Sequence, residues 1–168
     1  MAAMNVTPSP YAGDTWTETV FDKPAFRAAI RSRRCLIPAQ GFYEWSHEAP
    51  GAKAPYFITP ADGGIMALAG IFEHATMPDG RHTQSVAILT RDSMGVVQRL
   101  HDRQPVILRP EFHAAWLDPD NTDRARIEEI LASQPPELTA APVGILVNNP
   151  RNEGPELINT IGPPLTVG

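Results

Sequence analysis

The sequence predicts an α+β fold built on a mainly antiparallel β-sheet with flanking helices. Three observations point there. Prolines number 18 in 168 residues, about twice the average share, and their scatter punctuates many short elements. Short apolar runs, roughly four to eight residues each, recur with turn signals between them. The helical patterns stand apart from these runs and do not alternate with them, which disfavours repeated βαβ units.

Residues 1–16 form a poorly defined N-terminal segment. Met4 to Gly13 holds two prolines, a glycine and few apolar anchors. Asp22 ahead of Lys23-Pro24 reads as a helix start, with a capping carboxylate and proline in the first turn. Phe26, Ala29 and Ile30 give that helix an apolar face, and it should end near Arg33. Strand-like runs follow at Cys35–Pro38, Phe42–Trp45, Tyr56–Thr59, Ile65–Phe72 and Ser85–Thr90. The loop Pro60-Ala61-Asp62-Gly63-Gly64 predicts a hairpin between the third and fourth of these. Met77-Pro78-Asp79-Gly80 predicts another hairpin into Ser85–Thr90. Val106–Leu108 reads as a short strand and Val143–Val147 as a late buried one. Pro110–Leu117 and Thr122–Ala132 read as helices. Ile127, Ile130 and Leu131 form the apolar stripe of the second, and Thr122 or Asp123 caps it.

The length predicts one domain over residues 17–168, large enough to bury a core unaided. The one cysteine, Cys35, excludes an intramolecular disulfide and a multi-cysteine zinc site, and it fits a reducing cytoplasm. No apolar run reaches the roughly 20 residues of a membrane span. No basic region followed by an apolar stretch opens the chain. A cytoplasmic protein without a membrane partner is therefore expected. The net charge of −5 argues against nonspecific nucleic-acid binding, but the charge is unevenly spread. Residues 1–110 sum to +1 and residues 111–137 to −5. Lys23, Arg27, Arg31, Arg33 and Arg34 form a stripe without an acid. It reads either as a solvated face or as a phosphate-contacting patch.

No phosphate-binding glycine loop, zinc-protease motif or nucleophile elbow is present. Single residues remain as candidates. Glu44, set among aromatics in Gly41-Phe42-Tyr43-Glu44-Trp45, is either a solvated strand residue or a partly desolvated acid/base group. His101, on a loop before the Val106 strand, is either structural or a proton shuttle. Cys35 follows two arginines that could lower its pKa, but its apolar strand favours a buried, inert thiol. Among Trp16, Trp45 and Trp116, which could stack on bases, Trp116 fits the core and Trp45 is the better stacking candidate. The remaining histidines show no ligand spacing, so no metal or cofactor is expected.

Taken in order, several motifs resemble the SRAP family, the SOS response-associated peptidases that process abasic sites in DNA. They are Glu18-Thr19-Val20 with Lys23-Pro24-Ala25-Phe26, then Arg34-Cys35-Leu36-Ile37-Pro38-Ala39 running into Gly41-Phe42-Tyr43-Glu44-Trp45. Ala69-Gly70-Ile71-Phe72-Glu73, Ala87-Ile88-Leu89-Thr90, His101-Asp102-Arg103 and Gly154-Pro155-Glu156-Leu157-Ile158 follow. The resemblance covers roughly residues 17 to 161. It implies a partly barrel-like SRAP fold, DNA-repair and DNA-damage roles, and single-stranded DNA with abasic sites as the partner. In the family a cysteine after the initiator Met forms a covalent DNA–protein linkage, with associated autopeptidase activity. The family's glutamate and histidine map onto Glu44 and His101 as acid/base groups. Arg33, Arg34 and Arg103 are candidates for phosphate contact, with Trp45 and Thr90 lining the site.

The sequence departs from that pattern at several points. Ala2, not cysteine, follows Met1. Asp14 stands where the family has an asparagine in the site. Gln104 replaces a residue that is usually Met or Arg. The N-terminal portion is short, as expected of a truncation, an internal deletion or a misassigned start, and it could leave an exposed sheet edge for association. The resemblance thus implies abasic-site processing impaired by loss of the nucleophile. One alternative is a catalytically inactive member that binds single strands noncovalently. The other is a cysteine peptidase using Cys35 with His101 and Glu44.

Overall fold

The computed structural model describes residues 15–46, 54–76, 80 and 82–165. Asp14 and most of the predicted Met77–Gly80 turn lie outside the described residues.

The segment expected to be a helix from Lys23 to Arg33 is mostly consecutive turns, and only α1 (Ala29–Ser32) is regular. Its backbone bonds mix two spacings. Phe26 N–H donates to the Lys23 carbonyl at 3.0 Å, as does Arg27 N–H at 3.0 Å. Pro24 has no N–H to regularise the first turn. Asp22 does not act as the expected cap: its carboxylate faces the Arg124 guanidinium at 3.4 Å. The predicted apolar face survives, because Phe26, Ala29 and Ile30 are all buried.

The strands are β1 (Arg34–Ala39), β2 (Phe42–Ser46), β3 (Ala54–Pro60), β4 (Met66–Thr76), β5 (His82–Ile88), β6 (Thr90–Asp92), β7 (Arg103–Pro105) and β8 (Leu138–Pro142). They form three sheets, ordered β1-β4-β5, β2-β3-β8 and β6-β7. The β4–β5 ladder is antiparallel, as are β2–β3 and β3–β8. The architecture is α+β with mostly antiparallel sheets, as the sequence predicts.

Two pairings differ from expectation. β3 and β4 do not form a hairpin. β3 is flanked on both sides, by β2 and β8, so its ladder has no edge left for β4. The loop after β3 is fastened instead to the β8 side, where Ala61 N–H donates to the Glu137 carbonyl at 2.9 Å. Val143–Val147 is not a strand. The strand comes one segment earlier, as β8, and Ile145–Asn148 turns into a 3-10 helix with Ile145 73% exposed. Val106–Leu108, expected as a short strand, is buried but lies outside the regular strand: its backbone bonds are shared between Leu89 and Ala67, and β7 ends just before it.

α2 (Pro110–Leu117) has the predicted bounds. α3 (Arg124–Ala132) is capped by Asp123, whose carboxylate accepts from Ala125 N–H at 3.0 Å.

The chain divides into two compact units. The first comprises Met1–Ile37, Ala67–Arg91 and Pro105–Pro135. Its core gathers Phe26 and Ile30, Ile71 of β4, Leu89, Trp116 of α2, and Ile127 and Ile130 of α3. The second comprises Pro38–Met66, Asp92–Gln104 and Pro136–Gly168. Its core is smaller. Ile58 of β3, Ala140 of β8, and Val96, Val97 and Leu100 of the 3-10 helix Gly95–Arg99 pack together, with Phe42 and Tyr56 against them. Gly95 opens that helix at φ 59°, a conformation that side chains with a Cβ rarely adopt.

Candidate functional site

Four of the expected site residues lie in the second unit. Glu44 and Trp45 are consecutive on β2, so they face opposite sides of the sheet. The register fixes which side is which. Phe42 pairs with Ile58 and Glu44 with Tyr56, and Phe42, Tyr56 and Ile58 all belong to the core capped by Gly95–Arg99. Glu44 therefore stands on the face covered by that 3-10 helix, and His101 follows the helix directly. Tyr43 and Trp45 share the other face with Phe57. Their rings form a row, with Tyr43–Phe57 centroids 5.0 Å apart and Tyr43–Trp45 centroids 6.5 Å apart. The Trp45 indole N–H donates to Asn148 Oδ1 at 2.7 Å, which fixes the ring against the 3-10 helix Ile145–Asn148. Burial pushes the Tyr43 phenol up from its ordinary value.

The His101 segment is held by its own backbone. Ser93 N–H donates to the Asp102 carbonyl at 2.9 Å. Met94 N–H donates to Gln104 Oε1 at 2.9 Å. Arg103 N–H donates to His101 Nδ1 at 2.9 Å. The same Nδ1 also lies 3.2 Å from the Arg103 carbonyl oxygen, so this nitrogen meets a donor or an acceptor there according to the tautomer of the ring. Arg103 Nη1 lies 2.7 Å from Asp92 Oδ1. An imidazole with a guanidinium two residues on sets a proton-transfer group beside a cation.

The remaining candidates lie in the first unit. Thr90 is half-buried on β6, and its carbonyl accepts from Thr17 N–H at 3.0 Å. Arg33 pairs with Glu73 and donates from Nε to the Phe72 carbonyl at 3.3 Å. Arg34 is 6% exposed, and each of its five N–H groups meets a carbonyl. Nε donates to Trp116 at 2.6 Å, Nη1 to Ile30 at 2.9 Å and to Arg31 at 2.6 Å, and Nη2 to Asn121 at 3.1 Å and to Asp118. Burial lowers its pKa, and Asp118 offsets this in part. With all five donors spent, Arg34 ties the ends of α1 and α2 together and has nothing left for a phosphate. Cys35 lies on β1, and burial pushes its thiol up from the ordinary value. Trp116 is fully buried, as its helix face predicts.

Sequence reasoning missed Asn148 as the partner of Trp45 and Asp92 as the partner of Arg103. No local signal marks either, because each acts across a contact that only folding creates. Among the described residues no group of three His, Cys, Asp or Glu could hold a metal ion, and no helix is long and apolar enough to cross a membrane.

Comparison with known proteins identifies the family of the chain. The chain is 38% identical over 146 residues to the abasic site processing protein YoqW of Bacillus subtilis (strain 168), a match covering 85% of this chain and 64% of YoqW. It is 31% identical over 171 residues to the abasic site processing protein HMCES of Mus musculus, covering 84% of this chain and 48% of that one. Among solved structures, a protein from Bacteroides thetaiotaomicron superposes with a TM-score of 0.78 at 28% identity, covering 88% of this chain and 65% of that one. The chain thus spans less than two thirds of the length of these relatives. Residues 11–150 match the family model described as SOS response associated peptidase (SRAP). With the ordered motifs, the antiparallel sheets and this match in agreement, the chain belongs to the SRAP family.

Proposed function

We propose that this chain acts in abasic-site processing, binding abasic single-stranded DNA noncovalently. The observation that carries the reading is the placement of Glu44. It stands on the face of β2 covered by the helix Gly95–Arg99, with His101 and Arg103 immediately after that helix. Opening the closed hemiacetal of an abasic site to its aldehyde takes the proton from the C1′ hydroxyl, breaks the bond from C1′ to the ring oxygen and delivers a proton to that oxygen. A carboxylate and an imidazole are a base and an acid suited to those two transfers. Arg103 supplies charge for a flanking phosphate. Trp45, fixed by Asn148, lies on the opposite face of β2 and is not part of this group. The names of the similar proteins support the same substrate class.

The crosslinking step of the family needs an amine and a thiol on one residue. The sequence has one cysteine, Cys35, and it is within a strand. Its burial favours the neutral thiol, which also tells against the reading of Cys35 as a peptidase nucleophile.

The test is a pair of measurements on the full chain. Fluorescence anisotropy with an oligonucleotide carrying one abasic site should show binding that weakens as salt rises. A denaturing gel of the same mixture should show no shifted band. Absent or salt-insensitive binding would sink the proposal. A shifted band would replace it with the covalent form of the reaction.

A further inference from the structure

His74 and His82 stand too far apart in the chain to mark a ligand motif. The β4–β5 ladder brings them together. Its register pairs Thr76 with His82 and His74 with Gln84. His74 and Thr76 alternate with Ala75 along β4, so they share one face of the sheet, and their partners on β5 share it with them. The two histidines therefore hold the diagonal of a patch of four. Diagonal neighbours across an antiparallel pair lie ~7–8 Å apart, with Cβ atoms somewhat closer, and long side chains span that gap.

Both histidines are exposed, and each ring is held through Nδ1. His82 Nδ1 lies 3.1 Å from Thr76 Oγ1, and His74 Nδ1 lies 3.2 Å from the Gln84 side-chain amide. Phe72 meets the His74 ring edge-on, with centroids 5.4 Å apart and planes at 87°. Among the described residues neither ring makes a hydrogen bond through Nε2. The Thr76 hydroxyl oxygen can accept a proton from His82 Nδ1. Gln84 meets His74 through its amide nitrogen, and a half-turn of that exposed amide presents Oε1 to an Nδ1–H instead. With each ring's proton on Nδ1 and held by an oxygen, both Nε2 lone pairs are left to bind. Metal-ligating imidazoles are oriented in this way, by a partner on the nitrogen that does not bind the ion. Glu73, the one acid of β4, is engaged by Arg33, and β5 carries no acid, so imidazole is the ligand chemistry these two strands offer.

We infer that His74 and His82 form a two-imidazole site for a divalent transition ion of the zinc class, with water in the remaining coordination positions. Imidazole suits zinc, copper and nickel, whereas magnesium and calcium take oxygen ligands. Zn–N bonds of ~2.0–2.1 Å about a tetrahedral ion set the two Nε2 atoms roughly 3.3 Å apart, a separation that two exposed rings reach by side-chain rotation. A bound ion clamps β4 to β5 at this end of their ladder. The site shares no residue with the group at Glu44 and goes beyond the abasic-site reading.

The probe is Zn²⁺ alone, added to the full chain after treatment with a chelator and followed by calorimetry and by the histidine Hε1 resonances in NMR. Saturable binding of one ion per chain should shift the Hε1 signals of His74 and His82, while Mg²⁺ at the same concentration shifts neither. His74→Ala and His82→Ala should each weaken binding about tenfold or more. Thr76→Val keeps the side-chain shape, removes the acceptor behind His82 and should weaken binding about tenfold. All three positions are exposed, so the metal-free variants should melt at the parental temperature. Binding of parental strength when both histidines are replaced would put the zinc elsewhere and overturn the site. Absence of saturable binding, or a loss confined to one of the two histidine variants, would overturn it as well. The abasic-site reading uses neither residue and stands or falls separately.

Discussion

Arg34 shows how far a residue's role depends on what surrounds it. Five carbonyls receive its five N–H groups, and those of Trp116 and Asp118 end α2 while those of Ile30 and Arg31 end α1. Helix ends leave such carbonyls without internal partners, and a planar fork meets several of them at once. Lysine has three donors on a single atom and cannot copy that geometry. Arg34→Lys should therefore destabilise the protein by about 2–4 kcal/mol, a fall in melting temperature of roughly 10 °C by circular dichroism. Near-parental melting would mean that water serves these carbonyls as well. Cys35, next along the chain, makes an opposite case about charge. Two preceding arginines could have lowered its pKa, but burial raises it. The neutral thiol is favoured, so thiolate forms only at higher pH than for an exposed cysteine. Alkylation by iodoacetamide, followed from pH 6 to 10, should have its midpoint above that of a denatured control. A midpoint below the control would restore Cys35 as a candidate nucleophile.

At the scale of elements, regular local signals were legible and pairing was not. The bounds of α2 and the cap of α3 follow from Pro110 at a first helical position and from Asp123 ahead of an apolar stripe. Asp123→Ala should cost about 1 kcal/mol in urea unfolding, since it removes the bond to Ala125 N–H. The hairpin expected of β3 and β4 failed because a loop's composition permits a reversal without choosing the ladder that follows. β4 pairs instead in the sheet β1-β4-β5. Gly70 records how closely that sheet is packed. A Cβ there would lie 2.7 Å from Ile37 Cδ1 and 3.0 Å from Cys35 Sγ. Gly70→Ala should therefore destabilise by about 1–3 kcal/mol. Gly70→Ala combined with Cys35→Ala should recover part of that loss, and failure of the rescue would point to Ile37, whose Cδ1 is the nearer neighbour.

On the scale of the whole molecule, each unit is assembled from three separate stretches of chain. The second unit needs Pro136–Gly168, because β8 extends the β2-β3 ladder and Ala140 and Leu138 help close its core. A chain ending at Pro135 should bind a hydrophobic dye and lose protection of the Tyr56 to Pro60 amides in hydrogen exchange. Retained protection would show that β2 and β3 suffice. Charge is also partitioned, with an acidic sum over residues 111–137 and cations concentrated in Lys23–Arg34. By itself the sequence determined the α+β class, the two longer helices, most strand positions, the apolar faces and, through ordered motifs, the family. These follow from local periodicity, capping and short-range order. Only the tertiary structure decided that β3 joins β2 and β8, that Arg34 is an anchor, and that Trp45 is set by Asn148 and Arg103 faces Asp92. Each of those outcomes is a contact between residues distant in the chain or a difference in burial. Neither is encoded in the spacing of neighbours, because both depend on which of several compatible surfaces meet when the chain closes.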